Sequence, residues 1–285
     1  MSAKRVLPPA GRADGSLERD FGDALRRNAL SIDYQPQYLL IGGQGCGVEA
    51  LARWVLASGE NVAPSLFIPI AERSGMIADL GTWVLKSACE TAAAWRGRCE
   101  DSSMAINVSA LQIDDAFCDA LARTLAQYRY PARLLELEIT ESALIANPDQ
   151  TIEHLWEWKR IGVQIAIDDF GSGYSSLSRL ATLPVDRLKL DHSLVAMLTA
   201  DPKSAVVIRS ILRLAQELDL QVTAEGVETE QQFQILADLG CSQGQGYLLG
   251  RPMPARQAQV VLRKQWGNRP MPHQVAPSRG DCHAQ

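Results

Sequence analysis

The chain has no apolar run approaching the roughly 20 residues that a membrane-spanning helix requires, so the sequence predicts no membrane insertion. Its opening segment, Met1–Gly15, is basic and contains Pro and Gly but lacks the apolar stretch of a secretory leader. Cysteine is scarce. The six residues Cys46, Cys89, Cys99, Cys118, Cys241 and Cys282 lie far apart and form no C-x-x-C pair, which argues against both a zinc ribbon and a disulfide framework. Free thiols and a cytoplasmic address are the expectation. An excess of positive charge is also missing: Lys+Arg 28 against Asp+Glu 33 leaves a net charge of −5. This mild acidity speaks against non-specific binding to duplex nucleic acid or to an anionic membrane. A phosphorylated ligand would need a metal or a few placed cations. No G-x-G-x-x-G follows the first predicted strand, which disfavours a doubly wound dinucleotide fold.

What remains is the composition of an ordered α/β protein. With 285 residues, 46% of them hydrophobic and 21% charged, the chain has the size and balance of one large globular domain. Met1–Gly15 and Gly267–Gln285 read as flexible tails around a body at Ser16–Trp266. Strands are predicted at Ile32–Pro36, Gly47–Arg53, Met104–Asn107, Leu135–Thr140, Gln164–Asp168, Arg187–Leu190, Gln221–Ala224 and Gly246–Leu249. Helical patterns fall at Ser65–Ser74, Ala78–Arg96, Asp115–Tyr128, Asp149–Arg160, Ser175–Ala181, Ala205–Leu218, Glu228–Leu239 and Ala255–Gln265. Strands alternating with helices over about 250 residues predict a TIM-type barrel.

The acidic residues are unevenly placed. Glu49, Glu138, Asp168, Asp169 and Glu225 lie in or directly after strand runs, where carboxylates are poorly tolerated unless paired or bound to a cation. In a barrel the strand ends meet on one face, and several anionic oxygens gathered there call for divalent cations. Oxygen donors joined by Asn107, with no His or Cys nearby, favour Mg²⁺, Mn²⁺ or Ca²⁺ over zinc. His273 and His283 sit in the tail, His154 on a helix face, and His192 reads as a loop or surface residue. Lys189 is the one cation in an apolar strand. Either it forms a structural ion pair with Asp186 or Asp191, or it points into the acidic mouth and serves a phosphate or a water.

The motifs together resemble the EAL domain family, bacterial phosphodiesterases acting on cyclic di-GMP. They are Tyr34-Gln35-Pro36, Glu49-Ala50-Leu51-Ala52-Arg53, Phe67-Ile68-Pro69-Ile70-Ala71-Glu72, Asn107-Val108-Ser109, Glu136 through Ser142, Asp168-Asp169-Phe170-Gly171, Lys189-Leu190-Asp191, Glu225-Gly226-Val227-Glu228 and Gln245-Gly246-Tyr247. The resemblance implies a modified (β/α)8 barrel with an antiparallel first strand and two Mg²⁺ or Mn²⁺ ions; Ca²⁺, larger and looser in its geometry, is expected to inhibit. It implies that Glu49, Asn107, Glu138 and Asp168 hold one ion, and that Asp168 and Asp169 bridge to or hold the second. Glu225 and Gln245 would complete the site. Lys189 would position the attacking water, Glu141 anchor the loop Asp169–Leu177, and Glu228 support the metal ligands. Gln35, Leu51, Arg53 and Gln245 would contact the substrate. The implied product is linear pGpG and the implied assembly a homodimer. No GGDEF-type cyclase motif is present, and a stand-alone EAL protein is expected.

Two rivals use the same residues differently. A non-enzymatic cyclic di-GMP receptor would not need the full carboxylate set, which is intact here. A glycosidase-like barrel would use two carboxylates with aromatic sugar platforms, yet aromatics make up only 6%, and Asn107 and Lys189 would have no role.

Overall fold

The computed structural model describes residues 14–263, apart from positions 96, 98, 100, 147 and 172–179. Its strands are β1 (Leu30–Leu39), β2 (Gly45–Val55), β3 (Asn61–Val62), β4 (Ser103–Asn107), β5 (Leu135–Thr140), β6 (Gln164–Phe170), β7 (Arg187–Leu190), β8 (Gln221–Ala224), β9 (Gln243–Gly244) and β10 (Met253–Pro254). From β2 the ladder runs through β4, β5, β6, β7 and β8 to β9, each neighbour parallel to the last. β1 closes the ring and is antiparallel to both β2 and β9. The short β3 and β10 add antiparallel pairs to β2 and β1 outside the closed ring. This is a (β/α)8 barrel with its first strand reversed, as the resemblance implies.

The strand sequences sort their side chains by period two. Leu135, Leu137 and Ile139, Ile165 and Ile167, Leu188 and Leu190 are fully or nearly buried in the hydrophobic core. The intervening positions carry charge: Glu136 and Glu138 on β5, Arg187 and Lys189 on β7. Register places Ala105 between Glu49 and Glu136 on its flanking strands, and Ala166 between Glu138 and Arg187. Long polar chains therefore face small ones around the ring. Below the mouth, Arg187 Nε meets Glu136 Oε2 at 2.7 Å, and its Nη1 donates to Thr223 Oγ1, which donates on to Gln243.

The helices start where capping chemistry allows. Asp114, Asp191, Asp201 and Thr229 each accept a backbone N–H at a helix start, and Thr229 forms a reciprocal capping box with Gln232. Pro64 and Pro202 occupy first-turn positions, where the missing N–H costs nothing. The predicted helices in the described regions appear with ends shifted by at most three residues. That at Ser175–Ala181 lies, but for its last two residues, outside the described residues.

Two predictions need correction. The helix Asp14–Arg26 begins inside the segment read as a tail and was assigned no element. Its buried face is Leu17, Phe21 and Ala24, with Phe21 edge-on to Trp54 at 5.2 Å and stacked on Phe67 at 5.6 Å. The last barrel strand is Gln243–Gly244, not Gly246–Leu249, which is a turn. Gly246 passes so close to β8's following loop that a Cβ there would sit 2.2 Å from Val227 N and 2.3 Å from Val227 O. The glycine marks a backbone crossing and not a strand. The expectation of free thiols holds for Cys46, Cys89, Cys99, Cys118 and Cys241. No helix among the described residues is long and apolar enough to cross a membrane.

Because the Arg187–Glu136 pair is almost fully buried, removing one partner strands the other charge. Arg187→Ala is expected to cost about 3–5 kcal/mol of unfolding free energy, read by urea denaturation, and the double change Glu136→Leu, Arg187→Met to recover most of it. Equal losses in both variants would contradict this account.

Candidate active site

Lys189, 1% exposed, is the centre of the mouth. Its Nζ lies 2.7 Å from Glu138 Oε2, 2.7 Å from Glu225 Oε1 and 3.2 Å from Asp168 Oδ1. The pairing with Asp186 or Asp191 considered from the sequence does not occur. Asp186 is held instead by Lys159 at 2.7 Å, and Asp191 caps the helix His192–Met197. Asp186 is out of parity with Lys189 and lies at the other end of the strand, and Asp191, though in parity, turns its carboxylate to the next helix's N-terminus. Burial alone would strip the ammonium of its proton. The surrounding Glu138, Glu225, Glu49 and Asp168 outweigh it and hold the pKa well above the usual lysine range.

One cation is too little for this many carboxylates. Burial, with repulsion from Glu49, Asp168 and Glu136, raises Glu138 well above the usual carboxylate range despite Lys189. Burial likewise pushes Glu225 up to about 7, and Asp169 is raised by burial and by Asp168. Glu49 is the exception. Its burial is outweighed by Lys189 and by hydrogen bonds from Gln245 and Asn107, so its pKa is lowered. Lys189 Nζ is the ion-pair partner of Glu138 Oε2 and Asp168 Oδ1, yet these buried atoms, with Glu138 Oε1, fall outside hydrogen-bond geometry among the described residues. Buried polar atoms left this way mark an incomplete site. A cation would relieve the excess negative charge, and the donors on offer are oxygens, which suits hard divalent ions.

Asp168 and Asp169 are adjacent, so a regular strand would send one of them away from the mouth. The β6–β7 register prevents this: Ile167 pairs with Leu188 but Phe170 with Leu190, leaving one extra residue on β6. At this bulge Asp169 takes φ +55°, in the left-handed region that Asp tolerates better than most residues. One oxygen each of Asp168, Asp169 and Glu225 then lies within 4.8 Å of the others.

Glu49 is oriented by amides. Asn107 Nδ2 donates to its Oε1 at 2.6 Å and Gln245 Nε2 to its Oε2 at 2.5 Å. Gln245 also donates to Gln35 Oε1 at 3.1 Å and accepts from Gln37 at 3.0 Å, and Gln35 donates to Gly250 O. Gln35 and Gln245, expected to touch substrate, are thus buried inside this chain of amides. Gln37 is a member that sequence reasoning missed. The signal was two glutamines at strand period, two positions apart and so on the same face of β1.

Leu51 stands between two clefts. One, of about 370 Å³, takes in Gln35, Glu49, Asp168, Glu225, Gln245 and Tyr247. The other, of about 400 Å³, takes in Arg53, Ile68, Glu72, Asn107, Ser109 and Glu138. Arg53 Nε is fixed by Asp33 at 2.9 Å. Ser109 donates to Glu72 Oε1 at 2.7 Å and caps the short helix Ala110–Gln112, joining two motifs that are far apart in sequence. Gly226 at φ +68° turns the chain after Glu225, where a Cβ would meet His192 Cβ at 2.8 Å. His192 is exposed, as expected. Glu228 is exposed at the rim of the first cleft, its backbone N–H bonded to Gln232. Glu141 follows β5, but the loop Asp169–Leu177 that it was expected to anchor lies mostly outside the described residues.

Comparison with known proteins agrees with this geometry. The model of the EAL domain matches residues 18–252, and the chain belongs to that family. It is 41% identical over 243 residues to the bifunctional diguanylate cyclase/cyclic di-GMP phosphodiesterase MucR of Pseudomonas aeruginosa, covering 85% of this chain and 36% of that protein. It is 38% identical over 244 residues to the signaling protein YkoW of Bacillus subtilis, covering 85% and 30%. The chain therefore spans about a third of the length of these relatives. A solved PaMucR phosphodiesterase in complex with c-di-GMP superposes with a TM-score of 0.81 at 41% identity, over 85% of this chain and 99% of that one. The cAMP-bound EAL enzyme Bd1971 gives 0.83 at 31% identity, over 87% and 70%.

Removing the central ammonium should expose the imbalance around it. In metal-free protein, Lys189→Met is expected to lower Tm by several degrees, and Mg²⁺ to restore more stability to the variant than it adds to wild type. A Tm unchanged by the substitution would show that Lys189 does not carry the cluster's charge.

Proposed function

We propose that the chain hydrolyses cyclic di-GMP to linear 5′-pGpG with two divalent cations, Mg²⁺ or Mn²⁺, lowering the level of this second messenger in bacterial signalling. The observation that carries the reading is the gathering of Glu138, Asp168 and Glu225 on the single ammonium of Lys189, with Glu49, Asn107 and Asp169 beside them: more carboxylates than one buried cation neutralises. The likeness to the c-di-GMP complex of PaMucR supports the substrate. Glu49, Asn107, Glu138 and Asp168 would hold one ion, Asp168, Asp169 and Glu225 the other. Such ions, when bound, supply Lewis acidity to the attacking water and the departing 3′-oxygen.

The chain's own residues supply placement. Lys189, whose pKa the neighbouring carboxylates raise, donates N–H groups that orient a water and offset charge at phosphorus. Gln245 and Asn107 keep both Glu49 oxygens aimed inward. The two clefts on either side of Leu51 suit a ligand with two bases joined by phosphates, and Arg53, fixed through Nε, keeps guanidinium N–H groups for one phosphate. A receptor would not need so costly a cluster. A glycosidase would not need carboxylates sharing one lysine. The homodimer implied by the resemblance belongs to this proposal and is read by sedimentation.

Excess EDTA is expected to abolish turnover of cyclic di-GMP, Mg²⁺ or Mn²⁺ to restore it, and Ca²⁺, with its larger and looser coordination, to inhibit. Product analysis by chromatography checks all three, and full activity in EDTA would end the two-ion reading.

Two substitutions separate the roles. Glu49→Ala should reduce turnover by about 100-fold or more while the protein stays folded, since the carboxylate lies in the polar mouth and outside the apolar shell. Lys189→Ala should lower kcat with KM little changed, measured under Mg²⁺ concentrations that keep the variant folded.

A further inference from the structure

A second cluster of ligating side chains lies away from the mouth, on the outer helical layer. The helices Asp115–Tyr128 and Pro148–Ile161 pack against each other, with Phe117 and Trp158 ring centroids 5.5 Å apart. Each presents two donor residues at i and i+3, the spacing that puts both on one helix face: Asp115 and Cys118 on the first, His154 and Glu157 on the second. They meet at one atom. His154 Nδ1 lies 3.4 Å from Glu157 Oε2, 3.8 Å from Asp115 Oδ1 and 3.9 Å from Cys118 Sγ. One ligating atom from each of Cys118, His154 and Glu157 falls within 4.8 Å of the other two.

Hydrogen bonding explains only part of this convergence: the Cys118 thiol donates to Glu157, which leaves the His154 nitrogen with three neighbours. A single ring nitrogen carries at most one proton, so it can serve one of three neighbours, and two of those neighbours are carboxylates. A metal ion serves them all. Zinc bonds of about 2.0 Å to nitrogen and oxygen and about 2.3 Å to sulfur in a tetrahedron imply donor–donor edges of roughly 3.3–3.6 Å. The separations from His154 Nδ1 exceed these edges by about half an ångström or less, and the ligating atoms of Cys118, His154 and Glu157 all lie within 4.8 Å of one another. His154 is 7% exposed, so its ring is already held in place. Trp158 is fully buried with its indole N–H toward the sulfur, while burial and the Glu157 carboxylate push the Cys118 thiol up to about 11 in the absence of a metal. Glu157 keeps Oε2 on the cluster while Oε1 faces Arg160 at 3.5 Å.

We propose that Cys118, His154 and Glu157, closed by the exposed Asp115, form a zinc site that staples these two helices together. One thiolate, one imidazole and two carboxylates make a set for a borderline ion such as Zn²⁺, unlike the oxygen-only mouth. On binding, the Cys118 thiol proton leaves to solvent and sulfur takes the metal bond. The ion clamps helices that are contiguous only through packing, so it stabilises the outer layer and not the reaction. The sequence reading sets zinc aside because no ligand pair has ribbon spacing; the pairs here are two i,i+3 couples separated by 36 positions in the chain. The inference stands apart from the proposed phosphodiesterase activity and shares no residue with it.

The test uses the full chain, stripped of metal and loaded with 10 equivalents of Mg²⁺ to occupy the mouth before titration with Co²⁺. One equivalent of cobalt should develop near-ultraviolet thiolate-to-cobalt absorption together with visible bands of a tetrahedral ion, and Zn²⁺ should bleach both. Cys118→Ser should lose the thiolate absorption, and His154→Asn should lose the tetrahedral spectrum; circular dichroism confirms that each is folded. Zn²⁺ should raise the Tm of wild type and leave that of Cys118→Ser unchanged. Absence of thiolate absorption in wild type, or its persistence in Cys118→Ser, would overturn the site. Should His154→Asn fail to fold, the isosteric Cys118→Ser decides alone.

Discussion

Everything at the mouth is arranged around the attraction between one buried ammonium and more carboxylates than it can neutralise. Lys189 is the only basic side chain in contact with Glu138, Asp168 and Glu225 among the described residues. Its presence lets those acids exist in the ring at all, and its insufficiency leaves their oxygens unsatisfied. Low dielectric magnifies both effects. The neighbouring devices follow from this constraint: alanines on the adjoining strands that leave room, a bulge that brings a second aspartate to the same face, and amides that fix Glu49 without adding charge.

The barrel is therefore polar inside and apolar outside. Its hydrophobic core lies between the strands and the helices, built from Leu, Ile and Val on the outward positions and extended by the Phe21, Trp54 and Phe67 group at one side. The interior is layered, with the Glu136–Arg187 pair beneath the Lys189 cluster. Stability and chemistry are carried by alternate residues of the same strands.

Much of this was legible in the sequence, for physical reasons. Period-two runs located most strands, and strand-end acids located the mouth, since little else explains a carboxylate there. The direction of β1 was not visible from periodicity, because alternation looks the same in either sense; it came through the resemblance. The helix at Asp14–Arg26 was overlooked although Leu17, Phe21 and Ala24 follow helical spacing, because the preceding basic, Pro-containing segment set the expectation of a tail. The final strand was misplaced because its two residues, Gln243 and Gly244, carry no β-branched signal and are recognised only by their partners across the seam. Parity alone told Lys189 from Asp186, and parity is unreadable until register is known.

That seam is thin. β9 offers β1 two register pairs, Tyr38 with Gly244 and Leu39 with Gln243. The amide chain Gln37–Gln245–Gln35 spans the same gap with side chains and ends on Glu49. Closing the ring and aiming Glu49 are consequently coupled: a barrel ajar between its first and last strands keeps the Asn107 bond to Glu49 Oε1 and loses the Gln245 bond to Oε2. By mass action, whatever binds at Glu49 must in turn hold the ring shut. The occupant of the mouth is thus a hoop around the fold as well as a participant in its chemistry.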